Sequence, residues 1–193
     1  MCTPSSTYNS IGSFYFIGYG FGSIFFFLPD AFGRKNIMSI FMTFSIIANY
    51  ITAFGELKYM RLGFFMIGFF HLKISLSYTY ATELVPEDSK QLVLTMITAY
   101  DSCTLLLACS IMKFYKPSEL VVMQFHFGLS VFALLFFALV IPESPKWLFM
   151  KKGTNSQDAI NILNYIAWFN GSELRVPQDA IFDVIGQAIE EDN

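Results

Sequence analysis

Five long apolar segments, separated by short polar stretches, make up most of the first 141 residues of the chain. Each has the roughly 20 residues that a helix rising 1.5 Å per residue needs to cross a hydrocarbon core about 30 Å thick. Because the polar stretches are short, consecutive helices are expected to be antiparallel neighbours. The pattern therefore predicts an all-α, polytopic protein in a lipid bilayer, with transmembrane helices at about 11–29, 36–54, 60–82, 92–114 and 119–141.

The apolar pattern ends at the run Ile-Pro-Glu-Ser-Pro-Lys-Trp-Leu, residues 141–148, and the chain is mostly polar beyond it. The two prolines cannot continue a helix, because each lacks an N–H and disfavours helical dihedrals in the residue before it. A Lys and a Trp follow, as expected where a helix leaves hydrocarbon for headgroups. We therefore expect a short polar N-terminus at 1–10 and a cytoplasmic segment at 142–193.

Two short amphipathic helices are predicted in this cytoplasmic segment. Asn155 or Ser156 can cap the first, whose apolar residues recur at helical spacing until Asn170-Gly171 stops it. The second follows nearer the C-terminus. The apolar faces comprise Ala159, Ile162, Leu163, Ile166 and Ala167 in the first helix and Ile181, Val184, Ile185, Ala188 and Ile189 in the second.

Composition agrees with a membrane protein and argues against nucleic-acid binding. Hydrophobic residues make up 54% of the chain and charged residues 14%, against about 25% charged residues in an ordinary soluble domain. The net charge is −3 and no basic run exceeds two residues, so no basic patch is available for nucleic acid. Three cysteines, an odd number, do not make a disulfide framework.

The distribution of Lys and Arg indicates the orientation in the membrane. No basic residue precedes Arg34, so the first apolar segment lacks the positive region of a signal peptide and is expected to be retained as a span. With the N-terminus outside, the inner loops hold six basic residues and the outer ends four. We therefore predict an external N-terminus and a cytoplasmic C-terminus.

Three ionisable residues interrupt the apolar spans: His71 and Lys73 in the third and Asp101 in the fourth. Ionisable residues are costly in hydrocarbon and commonly mark function. Lys73 and Asp101 each lie nine positions from the inner end of their span, a depth of roughly 14 Å. Equal depth predicts an ion pair, which either acts on the substrate or on a coupled proton, or stabilises the bundle. The alternative is a lysine that snorkels.

The third span is polar on two sides, with His71, Ser75 and Thr79 on one and Lys73 on the other. Such a helix is poorly suited to lipid, so we predict that it lines a solute pathway. The alternative is that the hydroxyls bond the carbonyls of their own helix.

Two further patterns concern packing and cavities. Gly18 and Gly22 are four residues apart in the first span, which predicts a close-packing helix face and not a nucleotide fingerprint. Gln124 and His126, near the outer end of the fifth span, face either a cavity or the membrane interface.

No catalytic or metal-binding constellation appears in the sequence. The histidines and cysteines lack metal-ligand spacing, and no serine lies in a nucleophile elbow. We therefore predict no enzymatic activity, no cofactor and no metal. An intramembrane enzyme, which would depend on His71 or Asp101, is the alternative.

Several motifs resemble those of the major facilitator superfamily of transporters. The run Asp-Ala-Phe-Gly-Arg-Lys at 30–35 resembles the signature between that family's second and third helices, and Glu-Leu-Val-Pro at 83–86 resembles the motif after its fourth. The run at 142–148 is similar to the motif closing the sixth helix in sugar porters and organic ion transporters. Residues 159–167, with Asn170-Gly171, resemble the organic cation/anion branch.

The resemblance implies a gating role for charges at the inner ends of the helices. Asp30 would face the N-terminus of a helix in the family's other half, where its carboxylate meets the positive end of a dipole. The alternative is that these loop charges serve only topology. The other implied members of a cytoplasmic network, made when the inner gate closes and broken when the halves rock apart, are Arg34, Lys35, Glu83, Glu143 and Lys146.

The resemblance covers the equivalent of the family's second to sixth helices. It implies secondary active or facilitated transport of a small organic solute by alternating access, with an organic ion or a sugar as candidates. Because such a site forms between two repeats, we expect a truncated or split transporter that works with a C-terminal half or another transporter chain. The alternative is a non-transporting membrane protein, either a decayed paralogue or an accessory subunit packed on a complete transporter.

Overall fold

The computed structural model describes residues 5–153, 156–173 and 175–177, and the regular structure in these residues is entirely α-helical. The predicted all-α architecture is confirmed. The helices are α1 Ser5–Ser23, α2 Leu28–Phe32, α3 Arg34–Phe54, α4 Leu57–Phe69, α5 Leu72–Glu83, α6 Glu87–Tyr115, α7 Glu119–Val140, α8 Pro145–Lys152 and α9 Gln157–Phe169.

Within the described residues, four helical segments are long and apolar enough to cross a membrane. They coincide with four of the five predicted spans. α1 is not one of them, because Ser, Gly and Tyr dilute its apolar residues, and the first predicted span therefore stays a prediction. The four segments are Arg34–Phe54, Lys58–Glu83, Glu87–Tyr115 and Leu120–Val140.

The segment predicted as one helix at 11–29 is divided between α1 and α2. α1 ends at Ser23, where the hydroxyl donates to the Gly20 carbonyl at 2.7 Å, a back-bond that disturbs a helix. Residues 24–27 form a turn, and the N–H of Ile24 bonds the carbonyl of Phe21, only three residues back. α2 then starts with Pro29 in its first turn, where a missing N–H costs nothing.

α1 and α4 pack backbone to backbone through glycines. A Cβ placed on Gly18 would lie 2.1 Å from the carbonyl oxygen of Phe65, and one on Gly22 would lie 2.1 Å from that of Phe69. From the other side, a Cβ on Gly68 would lie 2.0 Å from the carbonyl oxygen of Tyr15. Only hydrogen fits at these positions, which confirms the predicted close-packing face.

The third predicted span is interrupted between α4 and α5. The N–H groups of His71 and Lys73 bond the carbonyls of Gly68 and Phe70 at 3.0 and 3.3 Å, three residues back where an α-helix would reach four. This tight turn ends α4 at Phe69 and starts α5 at Leu72. The break therefore lies beside the two ionisable residues of the span.

α3 is the central helix, and it packs against α2, α4, α5 and α7. Its contact with α5 forms an apolar core. α6 packs chiefly against α5, and none of its described residues is buried. The core residues of the α3–α5 contact are Ile37, Met38, Phe41, Leu72 and Leu76.

α8 and α9 follow the bundle and pack on each other through Leu148, Phe149, Ala159 and Ile160. Ser156 is the N-cap residue of α9, one of the two positions predicted for it, but its buried hydroxyl bonds no described residue. Its carbonyl instead accepts the first N–H groups of the helix. Asn155 and the second predicted helix, around 181–189, lie outside the described residues.

Candidate functional site

Arg34 joins three helices at the end of the bundle that the sequence predicts to be cytoplasmic. It is the first residue of α3, and its Nε donates to both carboxylate oxygens of Glu83, the last residue of α5, at 3.3 and 3.2 Å. Its Nη2 donates to Glu83 Oε1 at 3.1 Å, and its Nη1 pairs with Asp30 in α2. The Arg34 and Glu83 side chains are each 10% exposed and that of Asp30 is 70% exposed.

Glu143 binds the amino end of α3. Its Oε1 accepts from the backbone N–H groups of Lys35 and Ser144, both at 2.9 Å. The first N–H groups of a helix have no partner within it and carry partial positive charge, so a carboxylate is stabilising there. Gly33 has φ +102°, and a Cβ on it would lie 2.6 Å from Glu143 Oε2. Glycine is therefore needed both for the backbone conformation and for the approach of Glu143.

Trp147 attaches α8 to the same site. Its indole Nε1 donates to the carbonyl oxygen of Asp30 at 2.9 Å, and its backbone N–H is capped by the hydroxyl of Ser144 at 3.2 Å. We call Asp30, Arg34, Glu83 and Glu143 the charge cluster. Through Trp147 and these four residues, the ends of α2, α3, α5 and α8 are connected.

Two of the six residues implied as gate charges, Lys35 and Lys146, lie outside the charge cluster. Lys35 contributes its backbone N–H and not its ammonium group. Lys146 lines a cleft between the α5–α6 loop and α8–α9, together with Glu87, Lys90 and Glu83 of the charge cluster. Neither ammonium group forms a salt bridge with a described residue. Gly33 and Trp147 were not predicted to belong to this site, although they lie inside the motifs at 30–35 and 142–148.

A second site is a cavity of about 240 Å³ between α3, α5 and α7. Its polar wall includes Lys73, Ser45, Ser77, His126 and Ser130. The side chain of His126 faces this cavity, one of the two locations expected for it. Ser45 of α3 and Ser130 of α7 were not predicted as lining residues, because an isolated hydroxyl in an apolar span gives no sequence signal that separates a cavity wall from a helix contact.

His71 lies on the opposite side of α5 from this cavity. The Tyr15 hydroxyl and the His71 Nδ1 are hydrogen-bonded at 2.9 Å. The imidazole also meets the rings of Tyr15 and Tyr19 edge to face, with centroids 5.7 and 5.5 Å apart. His71 therefore contacts α1, while Lys73 faces α3 and α7.

The predicted Lys73–Asp101 ion pair is wrong. Asp101 accepts a hydrogen bond from the Tyr78 hydroxyl, and no salt bridge joins it to Lys73. α5 and α6 do pack against each other, but the depth of a residue along its helix does not fix the direction in which its side chain points. Five residues separate Lys73 from Tyr78, about 140° around a helix, so only Tyr78 faces α6.

Ser75 and Thr79 lie on exposed parts of α5. The Thr79 hydroxyl donates to the Ser75 carbonyl at 3.4 Å, and Thr79 lines a small cleft with Asp30 and Arg34. Whether either residue contacts a solute stays a prediction. Among the described residues, no three His, Cys, Asp or Glu side chains lie close enough to hold a metal ion.

Comparison with known proteins identifies the family. A search of curated proteins finds no match to the chain. The model of the family described as "Sugar (and other) transporter" matches residues 2–179, which is most of the chain and includes the charge cluster and the Lys73 cavity. The match is to a major facilitator family, as the motifs implied, and it leaves the organic cation/anion branch a prediction. The chain belongs to the sugar (and other) transporter family and is an integral membrane protein of the transporter kind.

Proposed function

We propose that the chain transports a small organic solute by alternating access, as one helical bundle working against a second. The charge cluster is the observation that carries the proposal. It joins the ends of four helices by ion pairs and hydrogen bonds that a rocking motion can make and break. Charges that only set the orientation of the helices in the membrane would not need a buried Arg34–Glu83 ion pair.

Two observations support a second bundle, located either in the same protein or in another transporter chain. None of the described residues of α6 is buried, although the helix has the length and hydropathy of a membrane span. The Asp30 carboxylate is 70% exposed and can therefore interact with a helix outside this bundle. The exposed α6 also suits a non-transporting accessory subunit packed on a complete transporter, which is the second candidate function.

The proposal is tested with membrane vesicles from cells of the source organism in which the gene for this chain has been deleted. They are compared with vesicles from the same cells after the gene has been restored. Radiolabelled tetraethylammonium, benzoate and glucose serve as cationic, anionic and sugar probes. We expect saturable uptake of one probe to return with the chain. Glu83→Gln should reduce this uptake at least tenfold, and Lys58→Gln, which changes an exposed pair, should not.

Two results would count against the proposal. Restored uptake that is unaffected by Glu83→Gln would favour the accessory candidate, because the gate would then lie in another protein. Saturable uptake by the purified chain alone in liposomes would show that no second bundle is required.

A further inference from the structure

The middle of α6 carries a carboxylate that no cation in the described part of the bundle neutralises. Asp101 is the central residue of this helix, which has the length and hydropathy of a membrane span. Its side chain is exposed, its Oδ2 accepts a hydrogen bond from the Tyr78 hydroxyl, and no described Lys or Arg forms a salt bridge with it. Because an aspartate at the centre of a span is costly in lipid without a partner, we expect this side of α6 to meet a group that supplies a cation.

The hydroxyl groups beside Asp101 have already used their protons within the helix. Thr95, Thr98 and Ser102 each donate to the carbonyl four residues earlier in α6, at 2.8, 2.9 and 3.0 Å. A hydroxyl has one proton and two acceptor lone pairs, so each of these exposed oxygens can still accept a hydrogen bond. Thr95, Thr98, Asp101 and Ser102 lie within about 120° of one another around the helix, and we call them the acceptor surface.

The extent of the acceptor surface indicates the kind of partner that fits it. It extends from Thr95 to Ser102, about 10 Å along the helix axis, and three of its residues line a surface groove of about 360 Å³ together with Ala99. These small side chains allow another helix to approach closely, whereas a small cation would contact the surface at one point only. Arginine suits the acceptors, because its planar guanidinium carries five N–H donors and no acceptor.

We propose that a second membrane helix, carrying an arginine at mid-depth, packs along the acceptor surface with its guanidinium paired to Asp101. The pair removes the cost of leaving either charge alone in hydrocarbon. Tyr78 stays bonded to Asp101 Oδ2, and Oδ1, which bonds no described residue, accepts from the guanidinium. That this helix belongs to the second bundle of the transporter rests on the proposed function; the pairing itself does not.

The test uses a synthetic transmembrane peptide of about 20 leucine and alanine residues with a single central arginine. The full chain is purified and reconstituted in liposomes of zwitterionic phosphatidylcholine. Energy transfer from its two tryptophans, Trp147 and Trp168, to a dansyl group on the peptide measures association. We expect energy transfer that saturates with the arginine peptide. Peptides with leucine or glutamate at the central position should need at least tenfold higher concentrations, and so should a peptide whose arginine is moved two turns from the centre.

Substitutions in the chain test the same pair from the other side. Asp101→Asn, which keeps the size of the side chain, should weaken binding of the arginine peptide at least tenfold, and Asp101→Glu should retain most of it. Glu56→Gln, which alters an exposed carboxylate outside α6, is the matched control and should leave binding unchanged. The comparison of peptides is made on the unchanged chain, so it decides the question even if Asp101→Asn folds poorly.

Three outcomes would overturn the proposal: equal association of the arginine and leucine peptides, as a protonated Asp101 would give, binding of the arginine peptide that is unchanged by Asp101→Asn, or displacement of that peptide by excess tetraethylammonium, which would identify a small cation as the ligand. The experiment also separates this proposal from the transport function. Preference for the arginine peptide without any saturable uptake in vesicles would refute transport and leave the helix pairing standing. Saturable uptake that depends on Glu83, without a preference for the arginine peptide, would do the reverse.

Discussion

Replacing Glu83 with Gln removes the buried partner of Arg34 and keeps the size of the side chain. Three hydrogen bonds link the two side chains, each of which is only 10% exposed. Breaking a buried ion pair from one side typically costs about 3–5 kcal/mol, because the remaining charge is left uncompensated. Asp30 still pairs with Arg34, so we expect a loss of unfolding free energy at the lower end, about 3 kcal/mol.

The measurement is unfolding of the purified chain in mixed micelles by titration with SDS, followed by the helical circular dichroism signal. Glu56→Gln is the matched control, since it breaks a Lys58–Glu56 pair whose side chains are 62% and 73% exposed. Exposed pairs contribute about 0–1 kcal/mol. The reasoning is refuted if Glu83→Gln destabilises the chain no more than Glu56→Gln does. The double variant Arg34→Met with Glu83→Met, which leaves neither charge buried, should recover part of the loss.

Three further predictions test the packing and the corrected geometry by the same SDS titration. Gly22→Ala should cost about 1–3 kcal/mol, because the added methyl would lie 2.1 Å from a backbone oxygen of α4 and force α1 and α4 apart. Glu143→Gln should cost about 1 kcal/mol, since the amide oxygen can still accept from Lys35 but no longer carries charge at the amino end of α3. The effects of Lys73→Ala and Asp101→Ala should be additive in the double variant, because no contact joins the two residues.

Each of these three predictions has a result that contradicts it. Gly20 lies between the packed glycines and a Cβ on it meets nothing within 4 Å, so Gly20→Ala should be neutral or stabilising; equal effects at Gly20 and Gly22 would refute the close approach. Glu143→Ala should lower the free energy of unfolding more than Glu143→Gln does, because it also removes the hydrogen bonds to the backbone N–H groups of Lys35 and Ser144. Equal losses would contradict a role for these hydrogen bonds. A coupling energy between positions 73 and 101 would restore the ion pair that the structure rejects.

The sequence was informative wherever a side chain's role depends on its position along one helix. Segment length and hydropathy predicted five spans, four of which coincide with described helices able to cross a membrane, and the spacing of Gly18 and Gly22 predicted a backbone contact that the structure contains. It was less informative where the role depends on direction around a helix. Lys73 and Asp101 share a depth, but the tight turn at the start of α5 and the rotation to Tyr78 decide which residue meets α6.

The charge cluster shows a second limit of the sequence, which can identify the residues of a site but not the atoms through which they make contact. The motifs named Lys35 and Glu143 as charges, yet the contact between them uses a backbone N–H and depends on Gly33. A charged side chain in a sequence suggests a charged partner, whereas the amino end of a helix offers a partner that no residue type reveals.

The two sites of this bundle are connected through one short helix. Glu83 ends α5, and Lys73 lies in its first turn, ten residues or roughly 15 Å away by helix rise. α5 is separated from α4 by the tight turn at His71, so it can tilt without carrying α4, which the glycines hold firmly against α1. The Arg34–Glu83 pair fixes one end of α5 to α3, and the cavity lies where the other end passes α3 and α7. We therefore expect that breaking the ion pair shifts Lys73 in the cavity by way of α5, since a short helix that moves as one unit is the kind of discrete element that coupling between two sites requires.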